Sequence, residues 1–206
     1  IELGLGRKIP SVLNRYLDLY CIDSRQDLFW PYRLFAGVEK NINDKNKFIE
    51  EMRSAKKKQR NSLISAMRLS IFNFSISRSV ADKLKDFPIF TNIRRLVSYK
   101  CSNLMVDVIE QALDWFVSTR VAVFIGGRPF GKFGADIQNR VRWLIGRNKD
   151  LESQLFFIPN HNIATSWLIQ QGTDFTMMLT YRKREGGPTS PNNAGMNFSV
   201  AVTVLD

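Results

Sequence analysis

Apolar and polar positions change period along the chain, and each change marks an expected element. Residues 7–19 place Val12, Leu13, Tyr16 and Leu17 at helical spacing, which predicts an amphipathic helix. A polar break at 23–27 leads into the aromatic cluster Leu28-Phe29-Trp30-Pro31-Tyr32. A long polar helix is expected over about 32–66, with Phe35, Val38, Ile42, Phe48, Met52 and Leu63 as its apolar positions. Its basic run, Lys56-Lys57-Lys58-Gln59-Arg60, reads first as a solvated helix face that could add affinity for a polyanion.

The period then shortens to two. Over 70–77, Phe72, Phe74 and Ile76 fall on one side and Ile71, Asn73 and Ser75 on the other, the pattern of a short strand. Ser77 can cap a helix that begins at Arg78 and carries Val80, Leu84 and Phe87 on its apolar side. Pro88 should break that helix, with a further turn or two of helix over 92–99. Ser102 or Asn103 can cap a second helix, whose stripe is Leu104, Met105, Val108, Ile109, Ala112, Leu113 and Phe116. Beyond it lie an apolar run at 121–125 (a strand or a helix end), a glycine-rich loop at 126–134 and a short helix over 136–145 bearing Arg140, Arg142 and Trp143. Two strands are expected at 175–181 and 196–205, joined by a long polar connection.

Composition narrows the class. With 206 residues, 44% hydrophobic and 24% charged, the chain can bury a core without disulfides or metal. It has no long uninterrupted apolar run, so no membrane span is expected. The opening segment lacks a signal peptide's apolar stretch, which makes cytoplasmic residence the expectation. Cys21 and Cys101 are expected as two buried thiols. A single histidine, His161, sits in a polar loop context, so neither a metal site nor a cofactor is expected. The glycine-rich loop lacks both common phosphate-loop spacings. Asp107, Glu110 and Asp114 read as a solvated helix face, and Trp143 and Trp167 as core residues. The net charge of +11 changes the picture most, because a field of that sign concentrates polyanions. Nucleic acid, an anionic membrane surface and an acidic protein all fit it.

A strand, a capped helix, a turn and a second amphipathic helix follow one another in the order of a ribbon-helix-helix unit. The segment from Ile71 to Val80 resembles the ribbon and the start of the first helix in Arc-type repressors, and that from Ser102 to Leu113 resembles their second helix. More widely, Trp30, Glu39, Ala66-Met67-Arg68-Leu69-Ser70 and Asp114-Trp115-Phe116 resemble AcaB, a family of transcriptional regulators of conjugative plasmids and integrative elements. The 88–101 linker is longer than a minimal turn of that unit, and Ile71 and Ser75 stand where basic readers are often found. The expected fold is mixed α+β, mainly helical, with an N-terminal helical region (1–66), a central ribbon-helix-helix unit (67–120) and a C-terminal α+β extension (121–206).

That resemblance implies a non-enzymatic, sequence-specific binder of double-stranded DNA, a homodimer paired through its ribbon and an activator of conjugative-transfer genes, with RNA polymerase as a further candidate partner. Phe72, Phe74 and Ile76 would form the dimer core. Ile71, Asn73 and Ser75 would read base edges in the major groove. Lys100, Ser102 and Asn103 at a helix start would hold phosphates, joined by Arg78, Arg94 and Arg95. A nucleic-acid-coating structural protein of viral nucleoprotein or matrix type is the alternative. A nuclease-like enzyme is a third reading, disfavoured by the single histidine and the lack of a convergent carboxylate motif.

Overall fold

The computed structural model describes residues 2–3, 7–8, 45–159, 162–180 and 199–203. The readings made over 9–44 and at His161 lie outside the described residues. Near the start, β1 (Glu2–Leu3) pairs antiparallel with β2 (Arg7–Lys8), so Arg7 and Lys8 open on a strand rather than a helix.

Five further strands build one sheet: β3 (Ile89–Ile93), β4 (Ala122–Gly127), β5 (Leu155–Pro159), β6 (Phe175–Met178) and β7 (Val200–Thr203). Their spatial order is β5-β4-β3-β6-β7 and every pairing is parallel. Six helices occur among the described residues: α1 (Lys45–Arg68), α2 (Arg78–Asp86), α3 (Ser102–Gln111), α4 (Leu113–Ser118), α5 (Gly131–Arg147) and α6 (Ile163–Gly172). The arrangement is α/β and Rossmann-like. It overturns the expected mainly helical ribbon-helix-helix centre, which requires an antiparallel ribbon shared between two chains.

Parallel strands covered on both faces read as continuous apolar runs, and Ala122-Val123-Phe124-Ile125 and Leu155-Phe156-Phe157-Ile158 are such runs. Their side chains still alternate between two cores. Ile89, Phe124, Phe156 and Ile158 pack with Leu63 and Met67 of α1, Leu84 of α2 and Leu168 of α6. Val123, Ile125, Leu155 and Phe157 pack on the opposite face with Val106 of α3, Phe116 of α4 and Val141 of α5.

The 70–77 segment shows why a period of two misled. Helix α1 ends in a left-handed residue, Ser70 (φ 59°), with Ile71 N–H donating to Ala66 O (3.1 Å) and Ser70 N–H to Met67 O (3.4 Å). This pair of bonds is the Schellman arrangement that terminates a helix. Asn73 is left-handed as well (φ 62°), so the chain turns twice and pairs with no strand. The alternation itself is present, with Phe72 buried and Asn73 and Ser75 exposed. Phe72, Phe74 and Ile76, however, serve this chain's own first core rather than a dimer core. Ser77 does cap α2, accepting from Val80 N–H at 3.3 Å. After Pro88 comes strand β3 instead of further helix, and Ser98–Lys100 forms only a short 3-10 turn.

Phe72 is 2% exposed inside a single-chain core. Phe72→Ala should therefore cost about 3–5 kcal/mol of unfolding free energy. Urea denaturation at two protein concentrations tenfold apart should give the same midpoint for wild type and the same for the variant. A midpoint that rises with concentration would return Phe72 to an interface.

Candidate functional site

The chain runs from β3 outward through β4 to β5, then crosses back to place β6 on the other side of β3. The strand order therefore reverses between β3 and β6. In open α/β sheets, ligands sit beyond the carboxyl ends of the strands at such a reversal, where loops diverge and leave a crevice.

The segments leaving the strands there are unusually close to one another. Arg94 N–H donates to Gly126 O (3.0 Å) and Leu96 N–H to Arg128 O (3.1 Å), so the loops after β3 and β4 continue the ladder past the strands. Gly127 has φ 131°, and a Cβ on it would lie 1.8 Å from Arg94 O. A Cβ on Gly126 would lie 2.1 Å from Ile158 O. Both positions require glycine for backbone approach.

Segments 94–101, 128–130 and 179–180 contain Arg94, Arg95, Lys100 and Arg128 and no Asp or Glu. Lys132 follows in the first turn of α5. Arg94 is 9% exposed and its Nη1 donates to Leu179 O at 3.3 Å, bridging from the end of β3 to the end of β6. Arg95 and Arg128 are exposed, Arg128 lying 5.6 Å from the Phe130 ring centroid. Lys100 is buried against Tyr99, 5.3 Å from its ring centroid. Helices α3 and α5 both begin at this end of the sheet, and neither has a side-chain cap on its first N–H groups. Asn92, 1% exposed near the end of β3, accepts from Ser102 Oγ at 3.2 Å, while its Nδ2 has no hydrogen-bond partner.

The opposite end is built differently. Segments entering the strands there carry Asp86, Asp150, Glu152 and Asp174 beside Lys85, Arg120 and Lys149. Asp174 accepts from Ile89 N–H at 2.7 Å and pairs with Arg60, which also donates to Phe87 O at 3.0 Å. Lys56 Nζ donates to Gln171 O (2.8 Å) and to Thr173 O at the end of α6. The basic run of α1 is thus only partly a solvated face: Lys56 and Arg60 fasten it to α6, α2 and β6. Burial pushes the Lys56 ammonium down to about 7, opposed by the charge of Asp174.

The residues expected to touch DNA are dispersed by this fold. Ile71 is half-buried, and Asn73 and Ser75 are exposed in a turn with no ribbon around them. Arg78 is the exposed first residue of α2. Asn103 donates to Asp107 at 3.1 Å. Arg94, Arg95, Lys100 and Ser102 all fall between the end of β3 and the first residue of α3, where Arg94, Lys100 and Ser102 are buried. Asp107 and Glu110 are not a free solvated face, since both bind Arg140 of α5. Those carboxylates, Glu110 first, raise the Arg140 guanidinium above its ordinary value. Trp143 is 53% exposed, with the Arg147 guanidinium 4.6 Å from its ring centroid, and is not a core residue. Cys101 is buried, whereas Cys21 lies outside the described residues.

Sequence reasoning passes over Asn92 and takes Gly126, Gly127 and Arg128 only as part of a glycine-rich loop without phosphate-loop spacing. A polar Thr91-Asn92 pair inside an apolar run, and Gly-Gly directly after one, were the available signals. Among the described residues no group of three or more His, Cys, Asp or Glu could hold a metal ion, and no helix is long and apolar enough to cross a membrane. No protein-family model matches the chain, and a search of curated proteins gives no match.

The lowered Lys56 value has a testable sign. Between about 7 and 10.5 the unfolded chain holds a proton on Lys56 that the folded chain has released. Stability from this group therefore rises with pH across that window, by at most about 1.4 kcal/mol per pH unit. In urea unfolding at pH 7, 8 and 9, the stability of wild type relative to Lys56→Met should climb with pH. Parallel profiles would show that Lys56 titrates as it does in the unfolded chain.

Proposed function

We propose that this protein is a binding domain for a phosphate-bearing small molecule, held in the crevice at the carboxyl ends of β3 and β6. The observation that carries the reading is the basic crevice rim: Arg94, Arg95, Lys100 and Arg128 stand in the segments leaving the strands, without an acidic residue among them. Fold resemblance alone would not supply a function, since one fold hosts many. Three features of the site add support. The exposed Arg95 and Arg128 carry planar donor forks that match phosphate oxygens. The uncapped starts of α3 and α5 leave N–H groups and positive dipole ends for an anion. Asn92 Nδ2 is a buried donor in need of an acceptor. Arg94 and Lys100, being buried, set the local field and shape the loop. A cytoplasmic setting, where phosphorylated metabolites are abundant, belongs to the same reading.

A second reading is nucleic-acid binding, either as a transcription regulator or as a coating protein. It is favoured by the net charge of +11 and by the exposed Arg78 and Arg95. Residues 70–77 form no ribbon to enter a groove, so contact there would be to the phosphate backbone.

Thermal unfolding at constant ionic strength separates the two. Pyrophosphate or a nucleoside triphosphate should stabilise the protein, by about 2.7 kcal/mol at a hundred times Kd. Arg95→Glu should weaken that binding about tenfold or more, with little change in the unliganded protein, because the side chain is exposed. Stabilisation by duplex DNA alone, with no response to small phosphates, would transfer the site to nucleic acid. No response to either would remove the anion-site reading altogether.

A further inference from the structure

We propose that one ordered water molecule is bound between β3 and α6, held by Thr91, Ser166 and Gln170. Thr91 sits in the middle of β3, and Ile89 and Ile93, two residues away on either side, pack on the first core. The period of two in a strand therefore turns the Thr91 side chain toward that same core, where α6 also packs. Thr91 is 2% exposed, and its Oγ1 has no hydrogen-bond partner among the described residues. A buried hydroxyl left unpaired is costly, and valine would fill the same place without that cost. The site therefore calls for a partner to this hydroxyl.

The space beside Thr91 fits water and little else. A cavity of about 20 Å³ lies there, with polar side chains from Thr91, Arg94, Ser166, Gln170 and Thr176 in its lining. A water molecule needs about 10–15 Å³ of such space and two to four polar partners. Both conditions are met, while a phosphate group or an organic ligand is too large.

The hydrogen-bonding groups complement a water as well. Gln170 Nε2 donates to Ser166 Oγ at 3.2 Å. That bond leaves Ser166 its own proton to donate and Gln170 its Oε1 to accept. Water accepting from Ser166 and donating to Thr91 Oγ1 and Gln170 Oε1 makes about three bonds, the usual number for a buried site. Thr176 Oγ1 is already engaged with Ser199 Oγ at 2.9 Å. Arg94, which also lines the cavity, donates to Leu179 O across the reversal of strand order. The water thus ties α6 to the central strand, directly beside the residue that bridges β3 and β6. It is bound whether or not the crevice holds an anion.

A high-resolution crystal structure of the full chain tests the site directly. One density peak should stand within hydrogen-bonding distance of Thr91 Oγ1, Ser166 Oγ and Gln170 Oε1. Thr91→Val takes away one of the three partners at nearly unchanged volume. The peak should then vanish, and urea titration should show the unfolding equilibrium constant raised about fivefold to thirtyfold. Thr91→Ser keeps the hydroxyl and should keep the peak. In a dry cavity the sign reverses, because Thr91→Val then relieves an unpaired buried hydroxyl and stabilises the protein. A stability gain or no change in Thr91→Val overturns the proposal, as does a wild-type cavity without density. A peak that survives in Thr91→Val also overturns it, since the water is then held by other groups.

Discussion

A sheet whose strands are all parallel must be covered on both faces, and the rest of this molecule follows from meeting that requirement. Each of the three crossovers among the described residues supplies at least one helix. Strands β3 and β4 are joined through α3 and α4, β4 and β5 through α5, and β5 and β6 through α6. Helices α1 and α2 complete the layer that α6 alone leaves partial. Because every strand points the same way, every β-to-α loop emerges at one end. The two ends then acquire different chemistry. At one, carbonyl and carboxylate acceptors meet Lys56 and Arg60 and are satisfied within the fold. At the other, the described segments 94–101, 128–130 and 179–180 carry basic side chains and no acidic residue, beside two helix starts without side-chain caps.

Close backbone approach makes that second end rigid. Gly126 and Gly127 let the β4 loop lie against Ile158 and Arg94, and the ladder bonds at Arg94 and Leu96 carry sheet geometry into the loops. Arg94 then reaches across the reversal of strand order to Leu179 O. A site assembled this way is held by the sheet itself, which favours a preformed crevice over one ordered by its ligand.

Much of the secondary structure was legible from residue types. Ser77 caps the helix it is expected to cap, and of the stripe expected on the second helix Met105, Ile109 and Phe116 lie in the core, whereas Leu104 and Val108 are exposed and the helix breaks at Ala112. The runs at 175–181 and 196–205 contain β6 and β7, and that at 121–125 overlaps β4, which extends two residues further into the glycine-rich loop. Topology was not legible, because the decisive evidence lies between segments. A period of two is produced by any extended or turning stretch with one side buried, and 70–77 is such a stretch without a strand partner. Strand β3 hid behind Pro88 because Thr91 and Asn92 interrupt its apolar run, although both are buried. Leu155-Phe156-Phe157-Ile158, a short apolar run ending at Pro159, has no alternation to mark it as a strand. With 70–77 as a ribbon, the cations after Ile93 read as a linker to a DNA-binding helix. In the fold, the same Arg94, Arg95 and Lys100 belong to the segment that leaves the carboxyl end of β3.

Amide chemical-shift mapping during a pyrophosphate titration tests the central claim most directly. The expected result is saturable shifts concentrated at residues 92–102 and 126–132, with the exposed basic positions of α1 and α2, such as Lys57 and Arg78, unmoved. Shifts spread over those helices and lacking saturation, with the crevice loops silent, would contradict it.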